Sequence, residues 1–466
     1  MFEFSLLASV FASAVAGSAL GFLAGLVPGL HMNNVAAAIT AYGSVALTLF
    51  ARLAIGDISY SVGILVSCFI SAALVSHIFS ESVVSTYVGI PDEDVVSVLP
   101  AHRLAKAGLG ALAVRSSVDG ALAGVIYGVV LIFPVCALMG SPCFAYDLIG
   151  KLMPAAISIF ILMLIASEGY PSLRHRRHVP RHVSKMLCAF DVFLAGGLLG
   201  TAVLLTNFYA APLPDFPWMP VGFVPRSSLL LPMFAGFFGV PSLLLSMNSR
   251  PVSGLALAGK VSDSCRLTVR ETITTVLGGI MVGWLPGMTS GSATTVCSPS
   301  ASESPAAEDI SSAVRFIWLY SAISASGAVM SVGALFVIQR ARSGSMDAVS
   351  LFVGGSLGEE AWTESIPLMS AILLAMVISC LLSHWAVRRF LPILSRSSKV
   401  LCSRALAVSS LLFVTGLCLS LTGVRGALVM AASTSLGLLP PVIGVRRIQL
   451  MGSLLVPIWI LFVTML

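Results

Sequence analysis

The sequence predicts an all-α polytopic membrane protein, one membrane domain over residues 1–466 that contains two inverted-topology repeats. Three observations lead there. Of 466 residues, 57% are hydrophobic and 10% charged, against roughly 25% charged in soluble domains. Apolar residues come in continuous runs about twenty long, enough to cross ~30 Å of hydrocarbon, without the period-two alternation of a β-barrel. One glycine and proline pattern occurs twice. The composition excludes a soluble enzyme, a disordered chain and a nucleic-acid binder with a basic face.

In chain order the runs lie near 4–27, 33–50, 58–80, 116–139, 152–167, 186–210, 227–247, 272–298, 314–339, 363–387, 405–422, 427–443 and 448–466. Proline and glycine interrupt several of them, so about nine to twelve full crossings are expected. The first run follows Met-Phe-Glu without a positive n-region and reads as a span, not a cleaved signal. The connections at 91–115, 170–185, 211–226, 248–271, 299–313, 340–362 and 388–404 are too short for an extramembrane domain. Five cations fall between Arg174 and Lys185 and five between Arg388 and Arg404, so both loops are expected on the cytoplasmic side of a cell membrane. The cysteines stand singly, without CxxC, and read as small buried hydrophobes.

Gly21-Phe-Leu-Ala-Gly25-Leu-Val-Pro28-Gly29-Leu30 matches Gly279-Ile-Met-Val-Gly283-Trp-Leu-Pro286-Gly287-Met288 at an offset of 258 residues. The repeats are placed at about 1–170 and about 260–400, with the remaining helices peripheral or scaffold. In each copy an apolar helix meets Pro-Gly. Proline cannot donate to the helical ladder and glycine frees the backbone to turn, so Pro28, Pro286, Gly25 and Gly283 are expected to form the break. Helix-capping residues follow: His31, Asn33 and Asn34 in the first copy, Thr289, Ser290, Gly291 and Ser292 in the second. Each copy therefore reads as helix, break and new helix N-terminus.

A helix N-terminus offers free N–H groups and positive dipole, and two of them in corresponding halves mark a substrate site near the bilayer midplane. The expected site is Gly29, His31, Asn33, Asn34, Gly287, Thr289, Ser290 and Ser292 holding a small anion. Neutral donors suit the place, because a permanently charged arginine would be costly there and would retain the anion. A kink that only packs helices closely is the plain alternative. Glu81 and Asp119, in or beside apolar runs, are candidates for a coupling ion, proton or sodium; Asp191 is a weaker one. Asp92-Glu93-Asp94 beside Gly89-Ile90-Pro91 reads as a solvated loop or a cation-coordinating gate. Glu359, Glu360 and Glu364, after Gly354-Gly355-Ser356-Leu357-Gly358, read as acids at a plain helix start, with another re-entrant turn as the alternative. His175, His178 and His182 interleave with arginines that oppose a dication, so no metal is expected, and no cofactor either. With no Walker A motif and no catalytic constellation, the chain is not expected to be an enzyme. The leading reading is a secondary active transporter for a carboxylate-type anion. The alternative is a translocase of an anionic lipid such as a polyprenyl phosphate.

The Gly-x3-Gly-x2-Pro-Gly-Leu element resembles that of the tripartite tricarboxylate transporter large permease family. The resemblance continues through Gly89-Ile90-Pro91, Leu104-Ala-Lys106-Ala-Gly108-Leu-Gly-Ala-Leu112 and Ser116-Ser117. Asp92 stands where the family has glycine, and His102-Arg103 where it has Tyr-Pro. His31-Met32-Asn33-Asn34 and Arg342-Ser343-Gly344 are more similar to the archaeal branch. The resemblance implies a permease working with a small membrane subunit and a soluble binding protein; a homodimer is left open.

The charge pattern generates a topology test. With native cysteines removed, single cysteines placed in 174–185 and 388–404 should resist an impermeant thiol reagent in intact cells and react in opened ones. Labelling of either from outside would reverse the orientation.

Overall fold

The computed structural model describes residues 2–53, 62–89, 95–166, 168, 179–205, 229–247, 269–297, 310–354, 362–396 and 403–464. The helices in chain order are α1 (Phe2–Gly25), α2 (Met32–Ala41), α3 (Gly43–Leu53), α4 (Val62–Val88), α5 (Val95–Lys106), α6 (Gly110–Met139), α7 (Ala145–Ala166) and α8 (Val179–Leu205). There follow α9 (Leu230–Ser246), α10 (Val269–Trp284), α11 (Ser290–Cys297), α12 (Ile310–Ile338), α13 (Gly344–Val353), α14 (Ile366–Arg396), α15 (Arg404–Ile443) and α16 (Gly452–Thr464). Among the described residues there is no strand, and nine helices are long and apolar enough to cross a membrane. The fold is that of an all-α, multi-pass membrane protein.

Its surface is apolar where lipid would lie: Leu162, Leu198, Leu412 and Leu428 are exposed. Its interior holds small hydroxyl residues, the reverse of a soluble protein. Ser76 Oγ donates to the Ser18 carbonyl (2.7 Å), Ser379 Oγ to the Ala72 carbonyl (2.6 Å) and Ser383 Oγ to Ser76 Oγ (2.8 Å), tying α1, α4 and α14 together. Ser116 Oγ donates to the Val314 carbonyl (2.7 Å), and Ser117 and Ser321 pair at 2.7 Å between α6 and α12. Lipid provides no hydrophobic drive for helix association, so close packing by small residues and such hydrogen bonds hold the bundle.

The buried side chains fall mainly into two clusters. The larger joins α1–α4, α6 and α12–α14 with Trp284 at the end of α10, so segments from both ranges expected to be repeats share one core. The second joins α7, α8, α9, the 3-10 turn Arg447–Met451 and α16. α7 lies within the expected first repeat by sequence but packs in this second cluster.

Both Pro-Gly elements interrupt the helix. α1 stops at Gly25 and α2 starts at Met32; α10 stops at Trp284 and α11 starts at Ser290. The turning glycines are Gly29 (φ +76°) and Gly287 (φ +72°), a region open to glycine without a Cβ penalty. Gly25 and Gly283 correct the expectation that they form the break: both are helical. With Gly21 and Gly279 they form an i, i+4 face against the next long helix. A Cβ on Gly21 would overlap the Ala73 carbonyl of α4, and one on Gly279 would overlap Ser326 of α12. After the first break, α2 and α3 are ten and eleven residues long and bent by 84°. Each is about 15 Å, half a hydrocarbon core. α15 carries a further break at Gly423 (φ 63°, ψ −159°), which separates the expected runs 405–422 and 427–443.

The expectations at Asp92-Glu93-Asp94, His175, His178, Glu359 and Glu360, and parts of both cationic loops, lie outside the described residues.

The close approach of α1 to α4 gives opposite outcomes for one chemical change. Gly21→Ala should destabilise the purified protein by about 1–3 kcal/mol through overpacking, lowering its melting temperature. Gly416→Ala, where nothing stands within 4 Å of the new methyl, should leave it unchanged or raise it.

Candidate functional site

The two breaks expose the N-termini of α2 and α11, and local side chains cap both. His31 is the N-cap of α2: its Nδ1 accepts from the Asn33 N–H at 2.9 Å. An accepting ring nitrogen carries no proton, so the imidazole is neutral in this arrangement. At α11, Thr289 Oγ1 accepts from the Ser292 N–H (3.2 Å) and Ser292 Oγ from the Thr289 N–H (2.9 Å), a reciprocal cap. Ser290 gives its carbonyl to Thr294 Oγ1 at 2.6 Å. Asn34 is buried, with its N–H on the His31 carbonyl.

Asn33 faces an element far away in sequence. Its Oδ1 accepts from the Ser345 N–H (3.1 Å) and Ser345 Oγ (3.3 Å), at the N-terminus of α13. Ser343 caps the same helix through the Met346 N–H. Just before it, Arg342 Nη2 donates to Tyr146 OH at 2.7 Å, and the Tyr146 ring lies 6.3 Å from that of Trp284, the last residue of α10. Residues 342–345 thus connect the start of α2 to the end of α10, from one break to the other.

α9 and the C-terminal segment also pack against the breaks. Leu243 packs beside Gly29 and Leu455 beside Gly287, where glycine leaves room for each leucine. α9 contains a π-helical turn at Ala235–Gly239, and Gly239 lies against the Gly29 carbonyl. Such wide turns occur often at functional sites. Arg447 Nη1 donates to Ser242 Oγ, next to Leu243.

The acids expected to couple an ion have partners. Asp119 Oδ1 takes His384 Nε2 at 2.9 Å and Arg388 Nη1 at 3.2 Å, both from α14. Glu81 lies 4.0 Å from His77 Nε2, and the His77 ring meets that of His31 edge-on at 5.9 Å. Asp191 is exposed on α8. Glu271 pairs with Arg315, and Glu168 with Arg446. Among the described residues no group of three His, Cys, Asp or Glu could hold a metal ion.

The sequence reading thus finds both helix N-termini and their caps. It misses Tyr146, Ser242, Leu243, Ser345, Arg447 and Leu455. Arg342 entered it only through the family resemblance. Ser343 ahead of an apolar run was the readable cue for α13's N-terminus; the leucines carry no cue.

Nine apolar helices long enough to cross a membrane, with capped helix N-termini at two breaks, define the class, a multi-pass helical membrane protein. The chain matches the model of the Tripartite tricarboxylate transporter TctA family over residues 11–452, and it belongs to that family. It is also similar to an uncharacterized protein of Methanocaldococcus jannaschii, 23% identical over 339 residues that cover 72% of this chain and 71% of that one. No solved structure matches it. The family is one of transporters, not of enzymes.

The Asn33 contact has a measurable consequence. Asn33→Ala leaves the buried Ser345 N–H without its acceptor, which should cost about 1–3 kcal/mol and lower the melting temperature. Asn33→Asp keeps an acceptor at a helix N-terminus and should melt close to wild type. Equal melting of Asn33→Ala and wild type would remove the contact's structural role.

Proposed function

We propose that this chain is the permease of a secondary active transporter and that it carries a carboxylate-type organic anion, held between the two Pro-Gly breaks. One observation carries the reading: two half-helices, α2 and α11, start at matching Pro-Gly turns inside apolar sequence, each with its N-terminal end capped by neutral polar groups. Free N–H groups and dipole favour an anion there, and broken backbone at membrane depth is tolerated where it is covered or lines a cavity. Gly29, His31, Asn34, Gly287 and Ser290 are the groups for direct contact. Asn33, Thr289 and Ser292 hold the helix ends in place.

Coupling is assigned to protons. Glu81, His77 and His31 form a line of titratable groups from α4 to the first break. Intramembrane acids and histidines in such lines relay protons. The two halves around the breaks are related as inverted repeats in this reading. A small membrane subunit and a soluble binding protein would deliver the substrate, as the tripartite family name suggests.

The test is binding of citrate, succinate and a polyprenyl phosphate to the purified chain in lipid nanodiscs. A carboxylate should bind in preference to the lipid. Ser290→Ala and His31→Gln should each weaken it about ten- to hundredfold, the worth of one hydrogen bond to a charged group. Failure of every carboxylate, or unchanged affinity in both variants, would place the activity elsewhere.

A further inference from the structure

Gly444, in left-handed conformation at the end of α15, turns the chain into two consecutive arginines with opposite fates. Arg446 Nε donates to Glu168 Oε1 at 2.8 Å and its N–H reaches the same oxygen at 3.2 Å, so its charge is neutralised. Arg447 is 8% exposed, and the partner of its guanidinium is the hydroxyl of Ser242. Among the described residues it pairs with no carboxylate: Glu168, Asp119 and Glu271 are taken by Arg446, Arg388 and Arg315. A guanidinium has five N–H donors, and a neutral hydroxyl does not compensate a buried charge.

The place of this charge gives it meaning. Ser242 precedes Leu243, which packs beside Gly29, and the π turn of α9 lies against the Gly29 carbonyl. Eight residues after Arg447, Leu455 packs beside Gly287. The segment 447–455 therefore runs from the wall of the first break to the wall of the second. Leu450 and Gly452 within it lie against Gly196 and Phe193, near the midpoint of the 27-residue α8. An ionisable group at such a place is a candidate functional group, and its missing counter-charge names its ligand.

We propose that Arg447 is the cation that receives a carboxylate of the substrate. Its planar fork matches the two oxygens of a carboxylate and rejects an ester or amide of the same shape. The assignment rests on the carboxylate reading above and departs from its purely neutral donor set. In the empty carrier the charge is unpaired; substrate completes the pair, so binding and neutralisation are one event.

The experiment uses the full chain in nanodiscs with citrate and, as neutral control, trimethyl citrate, and reads melting temperature and affinity. Wild type should bind citrate and ignore the ester. Arg447→Met, which removes an unpaired buried charge at similar volume, should melt at or above the wild-type temperature without ligand. Its citrate affinity should fall by about a hundredfold or more. Arg447→Lys, keeping the charge without the fork, should lie between. If wild type binds no carboxylate, the carboxylate reading and the assignment fall together. If wild type binds citrate and Arg447→Met binds it equally, or melts below wild type, the assignment alone is overturned.

Discussion

Every backbone N–H and C=O inside a bilayer needs a partner from the protein, and this requirement shapes the molecule around its two breaks. Ending α1 at Gly25 and α10 at Trp284 leaves carbonyls on one side of each turn and N–H groups on the other. His31, Thr289 and Ser292 satisfy part of the N–H set. Leu243 and Leu455 pack against the turning glycines, and Asn33 spends its oxygen on the N-terminus of α13. The layers beyond are arranged so that these covers stay in place.

The glycines of the duplicated element have two separate duties. Gly29 and Gly287 turn the chain, while Gly21, Gly25, Gly279 and Gly283 draw α1 onto α4 and α10 onto α12. The four-residue spacing of the second set is the spacing of one helical face. On α1 this is backbone-to-backbone approach, and the hydroxyl bridges from Ser76 and Ser80 add to it.

Much of this was legible in the sequence. Composition and run length suffice for the class of fold, because lipid tolerates few alternatives to apolar helices. Pro28-Gly29 and Pro286-Gly287 announce the breaks since their chemistry is local, and the same holds for the caps. The partners of those residues were not legible. Asn33 looks like a cap of α2, yet its acceptor serves Ser345, 312 positions away. Gly25 and Gly283 look like hinges until α4 and α12 are seen against them. Arg447 sits in a short connection beside Arg446, and the sequence does not distinguish the two. The carboxylate on one and its absence from the other emerge only from the packing of α7 and α9.

The bond between Asn33 and Ser345 has a mechanical meaning. It joins the positive ends of α2 and α13, which would repel across a short gap, through one negative oxygen. A displacement of α2 alone would bare two donors on α13 and bring like poles face to face. The clasp therefore opposes separate movement of the two helix ends. The far end of α2 is the 84° elbow before Gly43, where the chain changes direction between two short helices.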